Sequence, residues 1–195
     1  MAQSTPPTTP GSGAVLDELL VMMAQNGDRA AFARLHGRWH ARLARAAWRY
    51  TGEADTARDL SQECWLGIWK GLAGLRDPKR FRAYAFGVLH RRGSDYVRGA
   101  IRARAHTAPS ATGPYTTPEP SQPAAQDESS ALKQAFAALP PDQRLAAHLH
   151  FVEGLTLNEI AEAQSITAGT AKSRLFHARR KLKAALTDLP EGDTP

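Results

Sequence analysis

Apolar residues recur along this chain every three or four positions, in blocks punctuated by Gly, Asn, Asp and Pro, and no segment shows the sustained alternation of a strand. Val15, Leu16, Leu19, Leu20 and Met23 form a first stripe that stops at Asn26-Gly27. Asp28 is placed to cap a longer helix with Phe32, Leu35, Trp39, Leu43, Ala46 and Tyr50 on one face, and Thr51-Gly52 ends it. A third helix turns Ala57, Leu60, Cys64 and Ile68 inward. Gly71, Gly74 and Asp77-Pro78 then break the chain into a loop. A fourth helix starts near Phe81 and carries Ala85, Val88, Leu89, Tyr96, Val97 and Ile101. Four helices of this size can close one small core. Residues 14–106 are therefore expected to form a helical domain behind a Pro-, Gly-, Ser- and Thr-rich 1–13 tail that reads as disordered.

Periodicity is lost over 107–130, which holds Pro109, Pro114, Pro118, Pro120 and Pro123 among small polar residues. That composition predicts a flexible linker. Its 24 residues could extend to about 80 Å, with a typical span of about 27 Å. A second helical block is expected over 131–187, with 188–195 as a tail. Leu132, Phe136 and Leu139 begin it, Pro140-Pro141 breaks the chain, and Pro141 suits a helix start. Leu145, Leu149 and Val152 continue the apolar face, and Gly154 reads as a C-terminal cap. The predicted fold is all-α: two small helical domains on a flexible linker.

The most informative segment is 153–181, EGLTLNEIAEAQSITAGTAKSRLFHARRK. Thr156 and Glu159 have the spacing of a capping box, and Leu157, Ile160 and Ala161 give the short helix an apolar side. Thr167 suits the N-cap of a second helix that buries Ala171, Leu175, Ala178, Leu182 and Ala185. Thr170, Lys172, Ser173, Arg174, His177, Arg179, Arg180, Lys181 and Lys183 lie off that stripe. From 170 to 183 there are six Lys or Arg and no Asp or Glu, whereas a solvated helix face usually mixes signs. A capped short helix followed by a one-sign cationic helix has the form of a helix-turn-helix that enters the DNA major groove.

Charge refines the picture. The net charge of +6 favours an anionic partner. Residues 76–104 hold nine Lys or Arg against Asp77 and Asp95, while 53–63 hold Glu53, Asp55, Asp59 and Glu63 against Arg58. An acidic, partly apolar helix in a basic chain suits a protein partner better than DNA, and an ordinary solvated helix with buried tryptophans is the bland alternative. Cys64 is the only cysteine, which excludes an intrachain disulfide and a Cys-rich zinc site and makes the cytoplasm the simplest compartment. The opening MAQSTPPTTPGSG lacks the basic and apolar parts of a secretory signal, and no apolar run approaches the length of a membrane span. There is no P-loop, dinucleotide fingerprint or HExxH. His36 and His40 are spaced to share a zinc ion but lack a nearby third ligand; His148 and His150 lack a paired nucleophile; Cys64 lies on an apolar face. No catalysis, metal or cofactor is expected.

The segments DLSQECWLGIWKG (59–71) and RFRAYAFGVLHRRGSDYVR (80–98), followed across the linker by LPPDQRLAAHLHFVEGLTLNEIAEAQSITAGTAKSRLFHARRKL, resemble the sigma-70 family, in particular its two-domain extracytoplasmic-function (ECF) members. The resemblance implies a transcription initiation factor that binds core RNA polymerase, recognises the −35 and −10 promoter elements and melts DNA. It implies docking of Asp59, Gln62, Glu63 and Trp69 on the clamp helices of the largest polymerase subunit. It places −10 recognition on the 71–80 loop and the helix after it, with Lys79, Arg80, Arg82, Arg91, Arg92 and Arg98 near phosphates. Tyr84 and Phe86 are candidates to stack on an unpaired base or, alternatively, to pack in the core. It places −35 recognition on Thr170, Lys172, Ser173, Arg174, His177, Arg179 and Arg180, with Lys172 and Arg174 best suited to base edges. Family members are often held inactive by an anti-sigma protein wedged between the domains, which the linker would permit. The chain departs from the family pattern with Tyr84 where Trp is usual, Arg91 where Asn is frequent, Gly93 in place of Leu, and Ser165 at a turn position that usually holds Gly. The rival reading is a stand-alone helix-turn-helix regulator that binds duplex DNA without polymerase, which would leave 55–98 without a role.

Overall fold

The computed structural model describes residues 12–107 and 134–187, and the described residues contain helices and turns but no strand. In the N-terminal unit, α1 (Ser12–Gln25), α2 (Arg29–Thr51), α3 (Ala54–Gly71) and α4 (Phe81–Thr107) surround one core. Asp28 caps α2 as its type and position require, its Oδ1 accepting from the N–H groups of Ala30 at 2.8 Å and Ala31 at 3.0 Å. Gly52 ends α2 in the left-handed region at φ 72° and donates its N–H to Trp48 O. Leu35, Trp39, Leu43 and Ala46 of α2 meet Cys64 and Ile68 of α3 and Phe81, Ala85, Phe86 and Leu89 of α4 in the buried core. Trp39 lies edge-on to Phe81 and Phe86, with centroids 5.4 and 6.1 Å away.

The loop from α3 to α4 is two 3₁₀ turns, Leu72–Gly74 and Pro78–Arg80. The Gln25 side-chain amide ties α1 to it by donating to Leu72 O at 2.9 Å and Leu75 O at 2.7 Å. Gly93 also finds its explanation here. The Tyr50 ring fills the space a Cβ would occupy, at 2.6 Å, while the Tyr50 hydroxyl meets His90 Nδ1 at 2.9 Å. A leucine at 93 could not coexist with that tyrosine.

In the C-terminal unit, residues 134–137 form a helical turn, and α5 (Pro141–Ala147) runs directly into a π-helical turn, His148–Val152. The helix-turn-helix follows as α6 (Leu157–Gln164) and α7 (Ala168–Thr187). α6 also packs across α4, and a single apolar cluster runs from the N-terminal core through Leu145, Leu149, Leu155, Ile160 and Ala163 to Ala171 and Leu175.

Several expectations are corrected. α1 begins at Ser12, inside the expected tail, and α4 runs through Thr107, the first residue of the expected linker. The α1 stripe is largely exposed: Val15, Leu16, Leu19 and Met23 face outward, and Leu20, Val21 and Ala24 are buried instead. Most of the helix is hydrophobic, so periodicity did not pick out the buried face. Tyr96 and Ile101 are exposed because the distal part of α4 extends beyond the core. Val152 is exposed because the wide π turn departs from the α-helical spacing on which its inward placement rested. Ala185 is exposed near the end of α7. The expected 108–130 stretch of linker, Leu132 and the 188–195 tail lie outside the described residues.

Candidate polymerase and nucleic-acid interfaces

α3 has two faces. Leu60, Cys64, Trp65 and Ile68 point into the core, while Asp59, Gln62 and Glu63 project into solvent. Trp69 is 44% exposed and its ring rests edge-on against Phe32, centroids 4.6 Å apart. Leu66, which sequence reasoning missed, lies on the same outer face at 59% exposure. Its signal was helical spacing, four residues after Gln62 and three before Trp69. The face is thus an acidic row beside an exposed apolar pair. Glu63 reaches Arg92 of α4 at 3.2 Å, an exposed pair that contributes little to stability. Burial pushes the Cys64 thiol up to about 12, so it stays protonated and unreactive.

The two 3₁₀ turns and the start of α4 border a shallow, open cavity of about 320 Å³ lined by Gly71, Gly74, Leu75, Arg76, Asp77, Arg80 and Tyr84. Asp77 Oδ1 accepts from the N–H of Lys79 at 3.0 Å and so holds the second turn. Tyr84 is half-buried, and this burial raises its phenol above the usual tyrosine value. A Cβ on Gly71 would overlap the Tyr84 hydroxyl, so the absence of a side chain at 71 sets where that phenol sits. Phe86 is fully buried against Trp39, which removes it as a base-stacking candidate. Lys79 and Arg91 project into solvent. Arg80 is held by Glu162 at 2.6 Å, Arg82 by Glu159 at 2.7 Å, and Arg98 pairs with Asp95 one turn earlier.

The helix-turn-helix has the predicted caps. Thr156 Oγ1 accepts from Glu159 N at 3.3 Å, and Glu159 Oε2 accepts from Thr156 N at 2.8 Å, closing the capping box. Burial alone would raise the Glu159 carboxyl. The Thr156 N–H, the Arg82 guanidinium and the Thr156 hydroxyl outweigh it and leave the group below its ordinary value. Ser165 occupies the left-handed region at φ 54°, alone among the described non-glycine residues. Thr167 Oγ1 accepts from Thr170 N at 3.1 Å and caps α7. Lys172, Ser173, Arg179 and Arg180 are exposed on α7, with His177 half-exposed. Arg174 is drawn back, donating to Gln164 Oε1 and to Asp142 Oδ2 at 2.7 Å. Arg179 lies over the Phe151 ring at 5.6 Å. Phe176, another residue missed from sequence, is 62% exposed on α7.

His36 and His40 stack with centroids 4.8 Å apart, and His36 also packs on Trp65. Among the described residues no group of three or more His, Cys, Asp or Glu is arranged to hold a metal ion. No described helix is long and apolar enough to cross a membrane.

These surfaces define a class: an all-helical DNA-binding protein with an acidic-apolar docking face, a loop cavity and a cationic helix-turn-helix. Sequence comparison gives the family. The sigma-70 region 2 model matches residues 35–103, and the sigma-70 region 4 model matches 129–182. The chain belongs to the sigma-70 family and is an ECF-type sigma factor. It is 27% identical over 187 residues to the RNA polymerase sigma-H factor of Pseudomonas aeruginosa, an alignment covering 89% of this chain and 95% of that protein. It is 25% identical over 177 residues to the ECF RNA polymerase sigma-E factor of Escherichia coli K12, covering 85% and 92%. Its fold is similar to CnrH in complex with the cytosolic domain of CnrY, with TM-score 0.63, 23% identity and coverage of 89% of this chain and 99% of that one. It is also similar to RpoE in complex with the anti-sigma factor NepR from Bartonella quintana, with TM-score 0.65, 21% identity and coverage of 82% and 98%. The protein is a bacterial transcription initiation factor whose partners are core RNA polymerase and promoter DNA. A stand-alone regulator would leave the region 2 match unexplained.

Proposed function

We propose that three separate surfaces divide the work of initiation, with domain limits near 14–106 and 131–187. Asp59, Gln62, Glu63 and Trp69, joined by Leu66, dock on core polymerase. The loop cavity with Tyr84 receives an unpaired base of the −10 element. Lys79, Arg80, Arg82, Arg91, Arg92 and Arg98 follow its phosphates. Thr170, Lys172, Ser173, Arg174, His177, Arg179 and Arg180 serve the −35 element in duplex form. The observation that carries this division is the two-sided α3, whose acidic-apolar face is unsuited to DNA yet stands beside the cation-rich loop and α4. Capture of an unstacked base offsets the cost of strand separation, so melting needs no nucleotide hydrolysis. The protein acts by binding rather than catalysis and works in the cytoplasm, where it meets polymerase. An anti-sigma protein fits as its regulator, since NepR binds the structurally similar RpoE.

Core polymerase pull-down tests the docking face. Asp59→Arg with Glu63→Arg is expected to abolish co-purification while helicity is retained. Undiminished co-purification would overturn the docking assignment.

A further inference from the structure

Two arginines assigned to −10 DNA, Arg80 and Arg82, are engaged by acidic residues of the C-terminal unit. The described C-terminal unit contains four acidic residues, Asp142, Glu153, Glu159 and Glu162. Three reach across to arginines of the N-terminal unit. Glu162 takes Arg80 at 2.6 Å, and both oxygens of Glu159 take Arg82 Nη2, at 2.7 and 2.8 Å. Glu153, whose side chain is 1% exposed, takes Arg42 Nε at 2.6 Å. The fourth, Asp142, holds Arg174 of the recognition helix. Beneath these pairs α6 crosses α4 closely: a Cβ on Gly87 would stand 3.5 Å from Ala163 O.

We propose that this packing is a self-masked state of the free protein, in which the first helix of the helix-turn-helix serves as an acidic stand-in for −10 DNA. The inference rests on the assignment of Arg80 and Arg82 to promoter contacts. Glu162 and Glu159 neutralise those guanidiniums as phosphates would, and α6 covers the face of α4 that DNA must approach. The latch is releasable at a cost. Opening parts the apolar cluster that runs between the units as well as the ion pairs, while rehydration of both ionic partners, including the buried Glu153 carboxylate, offsets much of the lost ionic attraction. Glu159 keeps its capping box with Thr156 when it releases Arg82, so the helix-turn-helix stays folded as it changes partner. Promoter DNA and core polymerase then bind the open form, and the apparent DNA affinity of the free protein is reduced by the fraction that is closed.

The test uses the full chain in three forms: unaltered, Glu159→Gln with Glu162→Gln, and Gly87→Leu. Glutamine can keep the capping box while removing the charge. Leucine at 87 wedges α6 off α4 without changing any charge, which matters because removing two negative charges strengthens DNA binding by itself. Small-angle scattering reads the separation of the units. Binding of the free proteins to promoter DNA and transcription with core polymerase read function. The unaltered protein is expected to be compact, and both variants to expand and bind promoter DNA at least about fivefold more tightly. An extended unaltered protein, variants that do not expand, or a Gly87→Leu protein that expands without tighter binding would each overturn the inference. Failure of all three forms to support transcription with core polymerase would instead remove the sigma assignment on which it rests, and scattering would still report the packing.

Discussion

Ser165 is the one described non-glycine residue with positive φ, and it sits at the turn of the helix-turn-helix. A left-handed backbone costs a residue with a Cβ about 1 kcal/mol or more. Ser165→Gly is therefore expected to stabilise the protein by about 1 kcal/mol in chemical denaturation; unchanged or lower stability would show that the serine side chain compensates. That position was legible in sequence through the family resemblance, which implies Gly at the turn where Ser165 stands. His148 was not legible as special. It is buried, with Nε2 3.6 Å from Glu153 Oε1. Burial, then the nearby Arg49, Arg45 and Arg42, lower its pKa to about 3 from 6.5. The unfolded chain thus binds a proton over that interval and the native one does not, so this group makes stability fall as pH drops from about 6.5 toward about 3. His148→Gln should flatten that part of the stability curve, measured by urea denaturation at several pH values. An unaltered slope would assign the acid sensitivity elsewhere.

At the scale of elements, α2 was read from sequence with its caps and inward face and α3 with its inward face, because a long amphipathic helix against one core has a single apolar stripe. α1 and the turn after α5 were not. The first is apolar on nearly all sides, and the second abandons the 3.6-residue period at His148–Val152. The loop cavity was legible only as a break in periodicity; its form depends on two 3₁₀ turns and on Tyr84 reaching back to Gly71. Gly71→Ala should push the Tyr84 phenol out of place. It is expected to lower transcription from −10-dependent promoters about tenfold while core polymerase binding stays within twofold. Equal loss of both would mean that the substitution disturbs α3 rather than the cavity. On the docking face, Leu66→Ala should weaken polymerase binding several-fold in a titration, since an exposed apolar side chain beside Glu63 and Trp69 gains by burial against a partner. Unchanged affinity would exclude Leu66 from the contact.

At the scale of the whole molecule, the all-helical, two-domain organisation was visible in the hydrophobic pattern, and the charge distribution pointed to distinct surfaces. How the two units meet was not visible. The Arg80–Glu162, Arg82–Glu159 and Arg42–Glu153 pairs join residues 77 or more positions apart, and each arginine on its own reads as a phosphate contact or a solvated charge. Within the C-terminal unit, Asp142 and Gln164 draw Arg174 away from the exposed face of α7, leaving Lys172 as the outward candidate for base contact. Transcription in vitro with purified core polymerase, on a promoter carrying both elements, tests the central assignment most directly. The protein should direct initiation there, and Lys172→Ala should reduce initiation about tenfold or more while leaving polymerase binding intact. No initiation on any promoter the protein binds would contradict its role as a sigma subunit.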